Sequence, residues 1–584
     1  MAQLTIEQAH ALAAQYLAAG TAREAGDLYR QILERQPGDA WAMLGLGRAL
    51  EASGQLDAAL EHYHKALPQH RQFPELFEAI GRAWIARGHF DAAEAAFREF
   101  AALRPNEALA HNALGATLWR KRDIDAAIAE LRLAIQLRPE FPEALSNLAS
   151  ALRHVGRLDE ALQCYQTALK LGHHQNIASN LLYLLYYLPG WSSSQIAQTH
   201  EQWDRAYAQP LATAQDYPNT RDPKRRLRIG YVSPDFKEHC QSFFTLPLLS
   251  HHDHGQFEIF CYSSVPSPDA ITNRLRAQAD VWRDVAHLSD EKLAAVIRED
   301  QIDILVDLTM HMAGGRPLLF ARKPAPIQVA YLAYPGTTGL TALQYRFTDS
   351  YLEPANFAPF GPEERVVLPD AFWCYDPLTS GPEISPLPAA SAGHITFGCL
   401  NNTAKVNQQT LELWAKVLSA MPESRLILLM SAGSARANIV SFFEQQSITT
   451  NRIEFVDHLP RDKYLEQYQR FDIALDTIPY NGHTTTLDAL WMGVPVVSLV
   501  GQTVVGRGGL SILSNVGLPN LVAQSPEQFV QICKAVGTAL PALQALRNAL
   551  RSRLQQSPLM DAQRFTRNIE SSYRRMFQKW CDGR

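Results

Sequence analysis

The apolar positions of the first third of the chain recur every 34 residues. Leu12, Leu46, Ile80, Leu114 and Leu148 form one column, and the small residues Ala13, Gly47, Gly81, Gly115 and Ala149 form the next. Ala25, Ala59, Ala93, Ala127 and Ala161 make a third column. Tyr29, Tyr63, Phe97, Leu131 and Tyr165 make a fourth. Small residues let two antiparallel helices approach closely, and the large ones fill the space between neighbouring pairs. Pro37, Pro105 and Pro139 stop the second helix of three repeats, with Arg71 at the corresponding place in another. Beyond about residue 226 the period changes. Short β-rich runs, "LRIGYVS" (227–233), "EIFCYSS" (258–264), "IDILVDL" (302–308) and "IQVAYL" (327–332), are followed by "ITFGCL" (395–400), "SRLILLMS" (424–431), "RIEFVD" (452–457), "DIALDT" (472–477) and "PVVSLVG" (495–501). Helical segments intervene. Near-continuous apolar strands alternating with helices predict parallel sheets covered on both faces.

The 34-residue columns are the tetratricopeptide pattern. One helix pair cannot bury its apolar face, so the array is expected to stack into a superhelix with a concave groove. Binding of a protein or peptide is the functional reading of that groove; a dimerisation or structural module is the alternative. The predicted organisation is a repeat array over 1–175, a helical transition and linker over 176–225, and two Rossmann-like domains over 226–385 and 386–560. A C-terminal helix over 561–584 follows. The segment "NIASNLLYLLYYLPGWSS" reads as the first helix of an incomplete sixth repeat, and "DYPNTRDPKRR" (216–226) as a polar linker.

Composition narrows the class. Of 584 residues, 46% are hydrophobic and 19% charged, with a net charge of −5. No basic excess suggests nucleic acid, and no apolar run is long enough to span a bilayer. The start "MAQLTIEQAHALAAQYL" lacks a basic n-region, so no signal peptide is expected. The seven cysteines form no CxxC or zinc pattern, consistent with buried thiols in a reducing cytoplasm.

The chemistry gathers at strand-to-helix junctions. "YNGHTTTLDALWMGVPVV" (480–497) places Gly482, His483, Thr484, Thr485 and Thr486 where a helix should begin, with Asp488 one turn on. A helix start leaves N–H groups unpaired and carries partial positive charge, so this reads as a seat for phosphate. Its alternative is a richly capped helix. Lys405, after "CLNNTA", and His239, eight residues after Tyr231, also follow predicted strands. A lone lysine there is usually solvated and a lone histidine usually structural. Ligands in doubly wound domains sit at the carboxyl ends of strands, so two such domains put the site in the cleft between them. That arrangement suggests the GT-B architecture of glycosyltransferases. A periplasmic-binding-like pair of domains is the competitor, but it would normally carry a signal peptide.

These motifs together resemble the bacterial members of the O-linked N-acetylglucosamine transferase and SPINDLY family. The resemblance covers nearly the whole chain. Its marks are "RLRIGYVSPDFKEH" (226–239), "RKPAPIQVAYLAYPGTTG" (322–339), "TFGCLNNTAKVN" (396–407), "LDTIPYNGHTTTLDALWMGVPVV" (475–497) and "GQTVVGR" (501–507). The resemblance implies transfer of N-acetylglucosamine from UDP-N-acetylglucosamine to serine and threonine hydroxyls of polypeptides held in the repeat groove. It implies Lys405 at the donor diphosphate, where it would neutralise charge on the leaving group. It also implies His239 touching sugar or acceptor, and Asp488 accepting from a ribose hydroxyl. Leu459, Arg461 and Tyr464 would flank a uracil. Asn402, Gly482, His483, Thr484 and Thr485 would complete the donor site. His311, Pro335 and Gly336 would be possible contacts to acceptor or sugar. No DxD occurs in the catalytic half, the only "DID" being Asp123–Asp125 in a repeat, so no metal or other cofactor is expected.

Donor choice has two readings. "LPDAFWCY", His311 and "SYRRMFQKWC" are similar to the SPINDLY branch, which uses GDP-fucose. "NGHTTT" with His483, and "GQTVVGR" with Arg507, are similar to the N-acetylglucosamine branch. The diphosphate loop lies nearer the donor, which favours UDP-N-acetylglucosamine. The groove asparagines of that branch appear only at Asn147, with Gly45, Ala79 and Ala113 at equivalent places. A reading from another class is a repeat scaffold that binds nucleotide-sugar without turning it over; His239, Lys405 and the intact "NGHTTT" loop argue against it.

Overall fold

The computed structural model describes residues 4–212, 216–358 and 360–583. The chain divides into two compact units. One holds the repeat helices to His154 and again Gln163–His173; the other holds Val155–Leu162 and the chain from His174 onward.

In the first unit, helices pair as the columns predict: Ile6–Ala18 with Ala22–Arg35, Ala40–Ala52 with Leu56–Ala66, Pro74–Ala86 with Phe90–Leu103, and Ala108–Arg120 with Ile124–Leu137. The small column and the large column turn out to be partners. A Cβ on Gly47 would lie 2.0 Å from the Tyr63 ring, one on Gly81 2.6 Å from Phe97, and one on Gly115 2.7 Å from Leu131. The alanines at 25, 59, 93 and 127 are fully buried. A further column also emerges. Gly20, Gly54, Gly88 and Gly156 all have positive φ at the turn between helices, and Arg122 adopts the same conformation in the remaining repeat at φ 66°.

Among the described residues of the second unit, thirteen strands form two all-parallel sheets. The first contains β1 Leu227–Ser233, β2 Phe257–Ser263, β3 Val281–Asp284, β4 Ile304–Asp307, β5 Ile327–Ala330, β6 Tyr345–Asp349 and β7 Glu364–Leu368, in the order β3-β2-β1-β4-β5-β6-β7. The second contains β8 Thr396–Cys399, β9 Arg425–Leu429, β10 Ile453–Val456, β11 Ile473–Leu475, β12 Val496–Leu499 and β13 Val522–Ala523, in the order β10-β9-β8-β11-β12-β13. The fold is therefore tetratricopeptide repeats followed by two Rossmann-like sheets. Strand order reverses between β1 and β4 and again between β8 and β11, and these reversals are where such sheets bind ligands.

Four strands escaped the apolar pattern: β3, β6, β7 and β13. Strand β6 is instructive. Its Arg346 is buried, forming a fork with Glu353 (Nη2 to Oε2, 2.8 Å). A buried arginine paired from the following turn looks like a loop in sequence. Strand β7 is an edge strand with only partial burial, and β13 has two residues.

The transition region does not extend the repeats. Helix Gln175–Leu185 belongs with the second unit, where Tyr186, just past its end, meets the Thr337 backbone through its hydroxyl (3.3 Å from N). The segment 216–226 is clasped to the first sheet and does not hang free. Asn219 donates to Asp303 (2.7 Å), as does Arg225 (2.7 Å), and the Asp303 carboxylate also receives the Arg228 amide at the start of β1 (2.8 Å). The last helix, Ala562–Cys581, returns to the first sheet. Glu570 accepts from buried His252 (2.9 Å) and from the Asp253 amide, and Tyr573 meets the Tyr231 hydroxyl of β1 at 3.1 Å.

The Gly47–Tyr63 contact yields a prediction. Gly47→Val must displace the Tyr63 ring, so it should destabilise the repeat unit by about 2–3 kcal/mol. Urea unfolding followed by helical circular dichroism should show the loss, and an unchanged midpoint would mean that the helix pair can separate freely.

Candidate active site

Each junction singled out in the sequence falls at a strand-order reversal. His239 follows β1, His311 follows β4, Lys405 follows β8, and the 480–486 loop follows β11.

The loop after β11 is organised by Asp476, a buried carboxylate (2% exposed). Its Oδ1 accepts from the amides of Thr477 (2.8 Å) and Gly482 (2.6 Å), and its Oδ2 accepts from the Ser498 hydroxyl (2.6 Å). The loop leads into the helix Thr484–Trp491, and no side chain caps that helix. The richly capped helix is therefore excluded. The candidate capping groups point elsewhere. Thr486 donates to the Gly482 carbonyl (2.7 Å), Thr485 donates to Asn401 Oδ1, and His483 Nε2 donates to the Val505 carbonyl (3.2 Å). The Thr484 hydroxyl makes no hydrogen bond among the described residues. The first-turn amides are left with the positive end of the helix dipole.

Lys405 sits at the end of a short turn that Asn402 caps by accepting from the Ala404 amide (3.0 Å). Its Nζ donates to the Asn481 carbonyl (2.6 Å) and lies 4.0 Å above the Tyr480 ring. Burial pushes its pKa down to about 8, against the pull of the Asp476 carboxylate. His483 is wedged between the rings of Trp373 (4.6 Å) and Tyr480 (5.1 Å). Burial, helped by the Lys405 charge, holds it well below the usual histidine range, so the ring is neutral.

Opposite stands the loop after β1. His239 is partly exposed, with Nδ1 3.7 Å from Asp235 Oδ1. Burial opposes its charge, but the adjacent Cys240 sulfur and the Asp235 carboxylate outweigh it and leave the pKa raised. The Cys240 sulfur also acts on Lys405 and Tyr480, which sets this loop across from the phosphate seat.

Several expectations need correction. Asp488 does not face an open ribose site. It is buried, and its two oxygens accept a fork from Arg461 (2.8 and 2.6 Å) and the Tyr375 hydroxyl (2.6 Å). Arg461 lies in turn over the Phe243 ring at 4.3 Å, so this cluster ties the two Rossmann-like domains together. Gly482 is small for an internal reason: a Cβ there would meet Thr485 Oγ1 at 2.5 Å and Asn401 Oδ1 at 2.7 Å. The Asn402 side chain is committed to its turn. His311 is an interior residue. It meets the Thr338 carbonyl (2.8 Å) and Ser179 (3.2 Å) and packs on Trp203, with burial lowering its pKa to about 4. Pro335 and Gly336 are buried as well, Gly336 against the Tyr186 hydroxyl. Leu459 is 40% exposed, an apolar side chain open to a planar ring. The Tyr464 hydroxyl meets Tyr468 (2.8 Å), which donates to the Thr485 carbonyl (3.2 Å). Asn401, Asp476, Tyr480, Asn481 and Trp373 were missed as site residues. Asn401, Asp476, Tyr480 and Asn481 lie inside the motifs, where a buried carboxylate or amide at a strand end has the look of ordinary turn chemistry. Among the described residues no cluster of three His, Cys, Asp or Glu side chains could hold a metal.

Asp488→Ala strands the Arg461 guanidinium, and should lower stability by about 3 kcal/mol in thermal unfolding; a residue facing only a ribose would leave the melting temperature of the ligand-free chain unchanged. Cys240 is the exposed cysteine among the seven. Saturating UDP should slow its alkylation, read by mass spectrometry, and an unaffected rate would take the loop after β1 out of the donor cleft.

Comparison with known proteins agrees with this architecture. Glycosyl transferase family 41 matches residues 182–380 and 387–569, and tetratricopeptide repeat families match 16–80, 79–140 and 142–174. The chain is 37% identical over 417 residues to a probable UDP-N-acetylglucosamine–peptide N-acetylglucosaminyltransferase SPINDLY of Petunia hybrida, covering 70% of this chain and 45% of the relative. It is 32% identical over 371 residues to the corresponding SEC protein of Arabidopsis thaliana, covering 62% and 38%. The chain thus spans less than half the length of these relatives. A solved point variant of the O-GlcNAc transferase of Thermobaculum terrenum superposes with a TM-score of 0.81 at 34% identity, covering 91% of this chain and 99% of that one. With both sheets, their junction motifs and the repeats matched, the chain belongs to glycosyl transferase family 41.

Proposed function

We propose that the protein transfers N-acetylglucosamine from UDP-N-acetylglucosamine to serine or threonine hydroxyls of polypeptides. The observation that carries this reading is the uncapped start of helix Thr484–Trp491 beside Lys405. First-turn amides and the Thr484 hydroxyl open a helix whose N-cap residue, His483, lies within reach of the Lys405 charge, and a diphosphate would satisfy all three groups. The names of the Petunia and Arabidopsis relatives and of the Thermobaculum structure support the choice of donor and acceptor.

In this reading the acceptor oxygen attacks the anomeric carbon from the side of the loop after β1. A new C–O bond forms as the bond from that carbon to the diphosphate oxygen breaks, with inversion. Negative charge then grows on the departing UDP, where Lys405 and the helix start stabilise it. The raised pKa of His239 favours the imidazolium, a hydrogen-bond donor to sugar or phosphate oxygen. The acceptor proton passes to solvent. Leu459 covers one face of the uracil. The repeat groove would hold the acceptor polypeptide. Among the described residues of the repeat unit it contains a cavity of about 990 Å³, lined by Trp41, Leu17, Leu44, Arg48 and Arg82. Farther along the array Asn147 donates to Asn112 (2.9 Å), so this amide is engaged with a neighbour. No resident metal is needed, because fixed positive charge already lines the seat. The proposed location is the cytoplasm.

Isothermal titration of UDP and GDP, joined to radiolabelled sugar transfer from both donors, tests the reading. UDP should bind more tightly than GDP, and binding should persist in EDTA. Tighter GDP binding with fucose transfer would move the chain to the other branch, and nucleotide binding without transfer would make it a scaffold. Lys405→Ala should lower kcat by roughly 100-fold or more with a smaller loss of donor affinity. Near-normal turnover in that variant would remove Lys405 from the mechanism.

A further inference from the structure

We propose that Asp476 is a positioning residue for Lys405. Its buried carboxylate folds the 477–482 turn so that the Asn481 carbonyl receives the lysine, and it supplies the negative charge that keeps that lysine cationic. The inference rests on the reading of Lys405 as the group that neutralises the departing diphosphate.

The geometry favours an ionised Asp476. Oδ1 accepts two backbone N–H groups, from Thr477 and Gly482, and Oδ2 accepts the Ser498 hydroxyl. Asn401 Nδ2 approaches Oδ1 at 3.5 Å. Four donors face the carboxylate, the pattern that an ionised side chain accepts. Burial leaves the Asp476 pKa raised above the usual carboxylate value, and these donors and the Lys405 charge limit that rise. A neutral side chain could close the turn equally well, since backbone amides need only an acceptor. The charge therefore calls for a separate reason, and Lys405 provides one.

Lys405 has an unfavourable environment. It is partly buried, and among the described residues its one hydrogen-bond acceptor is the Asn481 carbonyl, at the end of the turn that Asp476 folds. It faces the Tyr480 ring below, neutral His483 beside it, the Cys399 sulfur from β8 and the Cys240 sulfur from the loop after β1. Asp476 is the largest of the charges acting to hold its proton, ahead of both sulfurs. With the lysine pKa already at about 8, removing that charge should carry it into the physiological range. A neutral Lys405 could not meet the growing charge of a leaving diphosphate.

The test reads the lysine directly. The full chain is labelled with acetic anhydride across pH 6–10, and the rate at Lys405 is followed by mass spectrometry. The wild-type midpoint should lie near 8, and Asp476→Asn should lower it by about one pH unit. UDP affinity in the variant should then fall about fivefold at pH 8 and stay unchanged at pH 6, because the lysine is fully charged in both proteins there. Ser498→Ala removes a hydrogen bond but keeps the charge, and should leave the midpoint in place. If Asp476→Asn does not fold, Asp476→Ser, which still offers an acceptor, takes its place. An equal loss of UDP affinity at both pH values, or an unmoved midpoint, would reduce Asp476 to a purely structural part. A wild-type midpoint near 10.4, the ordinary lysine value, would overturn the proposal by itself. Failure of the wild-type chain to bind UDP would instead overturn the proposed function, while the labelling would still report on Lys405.

Discussion

The helix Thr484–Trp491 begins without a side-chain cap, and the rest of the cleft is arranged around that deficit. An uncapped helix start typically costs about 1 kcal/mol relative to a capped one. The residues that could supply a cap are instead drawn inward, Thr485 to Asn401, Thr486 to the Gly482 carbonyl and His483 to the Val505 carbonyl. Those bonds make the loop rigid while leaving its amides for something else. Lys405, half-removed from water beside them, adds a second unfavourable element of the same sign. Both are relieved by an anion, and the site is therefore preorganised for one.

Preorganisation extends across the domain boundary. Arg461, Asp488 and Tyr375 form a buried cluster with Phe243 beneath the guanidinium, joining elements of both sheets. The C-terminal helix, having left the second sheet, is pinned to the first by His252, Glu570, Tyr231 and Tyr573. Two separate ties therefore set how the loop after β1 addresses the loop after β11. A transfer reaction needs donor and acceptor held on opposite sides of one carbon, and small errors in that alignment are expensive in rate.

Much of this was readable in the residues. The 34-residue columns predicted not only the repeats but which faces touch, since the glycine column and the aromatic column proved to be partners at Gly47–Tyr63 and Gly81–Phe97. Of the thirteen strands among the described residues, nine coincide with the apolar runs, β2 starting one residue ahead of its run. The four that did not had weaker or disguised patterns, most plainly β6, whose Arg346 is neutralised by Glu353, a residue from the turn that follows the strand. The placement of Lys405 and of the 480–486 loop at the ends of β8 and β11 was likewise legible, because strand, turn and helix each carry a local signature.

What sequence alone determined was periodicity, element type and the junctions where chemistry could gather. These depend on neighbours a few residues away, and burial writes them into the chain as a repeat of apolar positions. Tertiary structure alone decided where each polar side chain at those junctions points. Asp488 was drawn to Arg461, 27 residues away, and away from the cleft. His311 was enclosed by Ser179 and Thr338. Asp476, which looked like the end of a strand, became the centre of the loop because Ser498 and Gly482 converge on it. A buried polar group takes whichever partner the fold brings within about 3 Å, and that partner is set by the packing of distant elements.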